Sequence, residues 1–356
     1  MQSSVLKKIS DLKSQFTLDH QIQFLFGGCS IEVVTNSKKL LEDLKHYYKD
    51  FVVNSDLAHI SVTAIEAPVP DMDYSYTVKQ PDPGKSKIKE EYADFIDGRI
   101  VRKRLTGMYF LFGGGQHLAV GPAVKNSNQV INFINNRYIQ WLVDQGYLLA
   151  HAAGIEWDGM GIAFAGFSGM GKSTLALHLM SRGGNFISND RLLVKKNGQS
   201  IDMLGIPKLP RINPGTALNN PDLEKVIPEN EKDNFKKLTG EKLWNLEYKY
   251  DVFIDQCFGD GRFVLSADMN LLVILNWKPN GHPPSFNLVD LNERRDLLQA
   301  FMKSLGLFYD SQDDTEEPEV SEEAYLQQLQ GCRVLEISGG VDFQKAVDAC
   351  IKYIEN

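Results

Sequence analysis

Residues 166–173 read Gly-Phe-Ser-Gly-Met-Gly-Lys-Ser and fill every position of the pattern G-x-x-x-x-G-K-[ST]. The motif follows an apolar segment at 161–165 that is typical of a strand and opens a segment at 172–182 that is typical of a helix. Glycines allow the backbone to curl so that successive N–H groups face one centre, and the start of a helix adds the positive end of its dipole. The combination predicts a loop that binds phosphate, the alternative being a glycine-rich turn that only joins strand to helix.

A loop of this kind predicts which atoms meet a nucleoside triphosphate. Lys172 is expected to reach the β- and γ-phosphates, and the Ser173 hydroxyl is expected to ligate Mg²⁺. ATP and Mg²⁺ are the predicted cofactors, with GTP and pyrophosphate as the alternative phosphoryl donors. The residues predicted to bind the nucleotide are Gly166, Ser168, Gly169, Met170, Gly171, Lys172, Ser173 and Thr174.

Two further side chains are candidates for the reaction itself. Asp190 follows the predicted strand at 185–188 and would emerge at the phosphate end of the sheet, where it could hold the metal or act as a base. His151 lies in the apolar segment 147–155, predicted to be one strand, which precedes the loop. The alternatives are a turn aspartate at a strand end and a histidine satisfied within the core. Lys172, Asp190 and His151 are the predicted catalytic residues.

Composition and charge restrict the class of protein. Residues 310–323 carry eight acids and no base, which accounts for the formal charge of -8. Acids and bases are balanced in the remainder of the chain, which therefore lacks the excess of basic residues expected of a nucleic-acid binder. No apolar run approaches the about 20 residues that cross a bilayer, and the N-terminus lacks the features of an export signal. We expect a cytoplasmic protein that binds neither nucleic acid nor membrane. The cysteines are scattered without metal-ligand spacing, at Cys29, Cys257, Cys332 and Cys350.

The length of 356 residues favours two domains. Segments at 95–105, 108–113 and 116–120 are separated by glycine-containing turns and suit an antiparallel meander. We predict an α+β recognition or assembly domain over 1–124 and an α/β catalytic domain over 125–356. A helix is also predicted at 293–302.

With His151, the glycine loop and Asn189-Asp190, the chain resembles the catalytic domain of HPr serine kinase/phosphorylase, which is similar in turn to phosphoenolpyruvate carboxykinases. The segments 207–216 (PKLPRINPGT) and 249–259 (KYDVFIDQCFG) resemble the HprK-related kinase B branch. The resemblance covers roughly 151–277. It implies an α/β fold of the P-loop kinase type, preceded here by a smaller α+β domain, and an Mg-ATP-dependent kinase acting on a hydroxyl of a serine, a threonine or a small molecule.

The resemblance also assigns roles residue by residue. Asp190 and His151 match the groups around the transferred phosphoryl, whereas Asn189 replaces the first acid of the family's pair, and an amide cannot take a proton from a hydroxyl. Glu247 is a second metal candidate by position, the alternative being a solvated strand carboxylate. Arg211 and Arg262 are the cations best placed in the sequence to meet phosphate or an acidic acceptor. The alternative is that each is a surface or structural arginine.

Asn189 favours a rival hypothesis, a nucleotide-sensing regulatory module in which ATP orders a loop or interface with little or no transfer. The acceptor is predicted to be a protein, a peptide or a small molecule, and a homo-oligomer is possible.

Overall fold

A computed structural model of the chain has a mixed α/β architecture with two large sheets, in agreement with the predicted class. The chain forms two compact units, one of Met1–Leu142 with Leu305–Pro318 and the other of Val143–Ser304 with Glu319–Asn356. In the described part of the chain, no helix is long and apolar enough to cross a membrane. The structure describes residues 4–55, 57–81, 86–238, 242–243, 246, 248–278, 281–310 and 320–355.

The first unit is built on one mixed sheet with strand order β3-β1-β2-β4-β9-β8-β7-β6-β5. The strands from β6 to β9 form the antiparallel meander that the glycine turns predict. The strands are β1 (His20–Phe26), β2 (Cys29–Thr35), β3 (Val52–Val53), β4 (Ile60–Glu66), β5 (Thr77–Val78), β6 (Glu90–Phe95), β7 (Gly98–Lys103), β8 (Tyr109–Gly113) and β9 (Gln116–Gly121), and the helices are α1 (Val5–Lys13), α2 (Lys38–Tyr47) and α3 (Ser127–Val143).

The first compact unit does not coincide with the predicted domain 1–124. Tyr48 places its hydroxyl 2.9 Å from Asn135 Oδ1 of α3 and so ties that helix to this unit. The segment that begins at Leu305 also returns to it, because Phe308 packs against Phe110 and Phe133. The recognition or assembly role of 1–124 stays a prediction.

The second unit contains the glycine loop. Its sheet has the order β10-β14-β15-β18-β12-β11-β13, with β20 on β18 and β19 on β20. The strands are β10 (Leu148–Ala150), β11 (Ala152–Trp157), β12 (Met160–Gly166), β13 (Asn185–Ser188), β14 (Leu192–Asn197), β15 (Ser200–Gly205), β18 (Ser266–Trp277), β19 (Pro284–Leu288) and β20 (Arg333–Gly339), with the short pair β16 (Arg211–Ile212) and β17 (Tyr250–Asp251) apart from them.

The helices of the second unit lie on both faces of this sheet. They are α4 (Lys172–Ser181), α5 (Pro214–Leu218), α6 (Glu229–Lys236), α7 (Ile254–Phe258), α8 (Glu322–Gln328) and α9 (Phe343–Glu355). Residues of β12 alternate between the faces: Phe164 joins the core under α4 and α9, and Ala165 joins the core under α8. Burial on both faces explains why β12 and the central part of β18, residues 271–275, are apolar.

Two predicted elements of this unit are corrected. The strand predicted over 147–155 is two strands, because β10 pairs with β14 whereas β11 pairs with β12 and β13, and His151 lies at the break between them. The helix predicted over 293–302 is a short 3₁₀ helix, Arg295–Ala300. It cannot continue, because Met302 bridges Ala150 at the edge of the sheet.

Candidate functional site

The glycine loop joins the end of β12 to the start of α4. Gly169 and Gly171 have φ angles of +84° and +87°, a region that favours glycine. Gly171 is the N-cap of α4 and has no side chain that could cap the amides of the first turn. The first backbone hydrogen bond of the helix runs from the Leu175 amide to the Gly171 carbonyl, at 2.9 Å. A left-handed residue followed by helical Lys172 forms a nest of N–H groups, which is the backbone arrangement that binds anions.

The amides of the loop differ in their partners. Those of Ser168, Gly169 and Gly171 donate to no carbonyl in the part of the chain that the structure describes. The amide of Met170, one of the residues predicted to bind the nucleotide, donates to the Phe167 carbonyl at 3.2 Å and is therefore used within the turn. The available donors therefore concentrate at Ser168–Gly169 and at the start of α4.

Lys172 folds back over the loop. Its Nζ donates to the Gly166 carbonyl at 2.6 Å and lies 3.4 Å from the Phe167 carbonyl, and the residue is only 8% exposed. Burial lowers the Lys172 pKa to about 8. The negative charge of Asp190 acts to raise this pKa, and the positive charge of Lys303 lowers it further. The structure thus holds an ammonium group at the loop with backbone carbonyls as its hydrogen-bond acceptors.

His151 and Asp190 meet beside this lysine. His151 Nδ1 lies 3.2 Å from the backbone carbonyl of Asp190, which can only accept, so the proton of this hydrogen bond is on Nδ1. Burial and the charges of Lys172 and Lys303 lower the His151 pKa, which favours the neutral ring. A neutral ring protonated at Nδ1 presents a lone pair at Nε2.

The two hydroxyls of the first helical turn have different surroundings. Thr174 Oγ1 lies 3.1 Å from Thr216 Oγ1 in the core, so the Thr174 side chain anchors α5 and only its amide can serve a ligand. The half-buried hydroxyl of Ser173 bonds to no other described residue. Of these two hydroxyls, that of Ser173 is therefore the one available to a ligand, and its role as a metal ligand stays a prediction.

The metal candidates are brought together only in part. Ser173 lies in the first turn of α4, and Asp190 follows β13 with its charge acting on Lys172, whereas Glu247 lies outside the described residues. Among the residues that the structure describes, no group of three His, Cys, Asp or Glu side chains could hold a metal ion. A cation here would depend on few protein ligands, as Mg²⁺ does when phosphates and water complete its shell.

Two lysines that carry no motif also belong to the site. Lys303 follows the bridge between Met302 and Ala150, and its backbone amide donates to the Tyr325 hydroxyl at 3.2 Å. Lys208 is drawn toward the end of β13 because the Ile206 amide bonds to Ser188 Oγ at 3.4 Å. Burial lowers the Lys208 pKa while the charge of Asp190 opposes this change. Sequence periodicity gives no signal for either lysine, since both arrive through contacts with distant strands.

The two candidate arginines lie in ordinary structural contacts. Arg262 donates to Asn185 Oδ1 at 2.6 Å and to the Met180 carbonyl at 3.2 Å, so it joins the end of α4 to β13. Arg211 is exposed and pairs with Asp251 at 3.1 Å across β16 and β17. These contacts favour the structural interpretation of Arg262 and leave Arg211 at the surface.

Comparison with known proteins gives a distant structural likeness. No family model matches the chain, and no curated protein matches it in sequence. Among solved structures it is similar to the Hpr(Ser) kinase/phosphatase from Coxiella burnetii, with 14% identity over 58% of this chain and 87% of that one and a TM-score of 0.29. The resemblance to the HPr serine kinase group and its kinase B branch stays a prediction.

Proposed function

We propose that this chain is an Mg-ATP-dependent kinase that transfers a phosphoryl group to a hydroxyl. The observation that carries the proposal is the convergence of an ammonium group, a neutral imidazole and a carboxylate at the glycine loop, where the charge of Asp190 acts on both Lys172 and His151. Phosphoryl transfer is catalysed chiefly by positioning and charge, which such a group of side chains supplies.

The residues of the loop fit the phosphates of a nucleotide. Gly171 leaves the first-turn amides of α4 without a side-chain cap, and Lys172 is held at the loop by two carbonyls that it can exchange for phosphate oxygens. Ser173 and Asp190 are the residues proposed to hold Mg²⁺, with Glu247 retained as a proposal from the sequence. Bound Mg-ATP would supply the γ-phosphoryl group.

Residues of the chain would accept the proton of the acceptor hydroxyl and neutralise the charge of the phosphates. The Nε2 lone pair of His151 can accept the proton of an incoming hydroxyl, and so can the Asp190 carboxylate. Lys172 neutralises charge on the phosphate side, with Lys303 as a second cation. We propose as acceptor a serine or threonine of a protein or peptide, or a small molecule, with the first domain serving recognition or assembly and a homo-oligomer as a further possibility.

Substitution of the loop lysine tests the proposal. We expect Lys172→Ala to abolish measurable Mg-ATP binding in isothermal titration calorimetry, because it removes the cation at the phosphates. Lys345→Ala is the matched control, since its side chain is 62% exposed on α9 and is paired with Asp342. Circular dichroism should show the same fold for both variants. Equal ATP affinity in Lys172→Ala and the parent would refute the site.

A nucleotide-sensing module is the second candidate, and Asn189 favours it. Its Oδ1 atom is buried and makes no hydrogen bond in the described part of the chain, and an amide cannot serve as a base. In such a module, ATP binding would order the loop or an interface with little or no transfer.

Asn189→Asp separates the two candidates. If the chain is a kinase weakened by its amide, the restored carboxylate should raise autophosphorylation or ATP hydrolysis, by about tenfold or more for an added general base. Asn197→Asp at the exposed last residue of β14 adds the same charge far from the reaction and should leave the rate unchanged. The absence of turnover in parent and Asn189→Asp alike would favour the sensor.

A further inference from the structure

Trp277 reaches the glycine loop from the neighbouring strand. β12 and β18 run parallel with Gly166 opposite Leu275, so the next residues of β18 arrive beside the turn that follows Gly166. Trp277 is 1% exposed, and its indole Nε1–H donates to the Met170 carbonyl at 2.9 Å. A buried donor therefore holds one specific peptide group of the loop.

The planarity of that peptide extends the effect to the next amide. The described residues contain no cis peptide bond, so the carbonyl of Met170 and the N–H of Gly171 point in opposite directions. With its carbonyl fixed on Trp277, the peptide directs the Gly171 N–H away from the indole. Gly171 has φ 87° and ψ 21° and precedes helical Lys172, which makes this N–H the first donor of the nest.

The indole itself is held in place by α9. Phe343 packs edge-on against Trp277 with 5.2 Å between ring centroids. The same phenylalanine lies against Gly171, where an added Cβ would stand 2.7 Å from Phe343 Cζ. Loop and indole thus rest on one aromatic side chain.

We infer that Trp277 is a positioning residue for the phosphate site: its hydrogen bond to Met170 sets the Met170–Gly171 peptide in the orientation that binds phosphate. The inference rests on the proposed nucleotide binding and deepens it. Loss of the indole donor would leave the Met170 carbonyl without its partner and allow the peptide to rotate, which removes the Gly171 donor from the nest.

The test replaces Trp277 by phenylalanine, which retains an aromatic ring and removes the donor. We expect Trp277→Phe to weaken Mg-ATP and Mg-ADP binding about tenfold, the size that one lost hydrogen bond can account for. Trp157→Phe is the matched control, because the indole of Trp157 donates to Glu355 Oε1 at 3.3 Å. The nucleotide affinity of this variant should stay within about twofold of that of the parent. Isothermal titration calorimetry gives both constants.

A second readout separates positioning from general stability. The ¹⁵N–¹H resonance of Gly171 should shift strongly when ADP binds the parent and weakly in Trp277→Phe, whereas loss of stability alone would leave the shift of the folded fraction unchanged. If Trp277→Phe does not fold, 3-benzothienylalanine at 277 provides a ring of the same shape with sulfur in place of N–H.

The outcomes are distinguishable. Parent-like affinity and a parent-like Gly171 shift in the variant that lacks the donor would overturn the role of Trp277 and leave the kinase proposal standing. Failure of the parent itself to bind nucleotide would overturn the proposed function and this inference together.

Discussion

Lys172 is a lysine in surroundings that penalise its charge. It is nearly inaccessible, its ammonium bonds to backbone carbonyls, and Lys303 adds positive charge that Asp190 opposes. A polyanion with several phosphate oxygens would compensate the ammonium for its lost hydration and offset the repulsion from Lys303. The side chain is therefore arranged for a ligand that brings negative charge to this point.

The pH dependence of nucleotide binding follows from this pKa. Because the Lys172 pKa is about 8, the ammonium loses its proton as pH rises through 8, and the association constant for Mg-ATP should fall above that pH by up to about tenfold per unit. Calorimetric titrations at several pH values between 7 and 9.5 measure the slope. Lys172→Arg, which stays charged throughout this range, should show a flat profile. The same slope in parent and Lys172→Arg would contradict the assignment.

Conformational stability should respond in the opposite direction over the same range. The pKa of Lys172 is lowered from its ordinary value of 10.5, so between about pH 8 and 10.5 the unfolded chain binds more protons than the folded one. The contribution of Lys172 to the free energy of unfolding therefore rises with pH in that window. Loss of ATP affinity above pH 8 thus cannot be attributed to destabilisation by this residue.

At the scale of elements, the local pattern around the loop was sufficient for prediction. The apolar run and the glycine motif predict a strand, a loop and a helix over 172–182, and the structure has β12, the loop and α4 over Lys172–Ser181. Each of these signals lies within a few residues of the element that it specifies. The antiparallel meander is predictable for the same reason, since glycine turns separate its strands.

The rest of the candidate site depends on contacts between distant segments. The break at His151 arises because β10 and β11 pair with different strands and because the His151 amide donates to the Phe301 carbonyl at 2.7 Å. Lys303 reaches the loop through the same edge of the sheet, and Trp277 through the register of β12 with β18. Periodicity within one segment cannot encode these pairings, and so the sequence predicted the glycine loop with its strand and helix better than the residues around them.

At the scale of the whole molecule, the two compact units do not follow one another along the chain. The segment that begins at Leu305 lies between two parts of the second unit along the chain and belongs to the first unit in space. Arg99 and Gln140 reinforce this return, with Arg99 donating to the Leu307 carbonyl at 3.0 Å and Gln140 to the Asp310 carbonyl at 2.6 Å. A division of the chain at one point, as the sequence suggested at 124, could not describe such an arrangement.

The central claim is that nucleotide phosphates bind at the start of α4. A crystal structure of the protein with Mg²⁺ and a nonhydrolysable ATP analogue tests it most directly. We predict phosphate oxygens at about 2.7–3.2 Å from the amides of Gly171 and Lys172, with Lys172 Nζ contacting phosphate. An analogue bound elsewhere on the chain, with Lys172 still on the Gly166 carbonyl, would contradict the account.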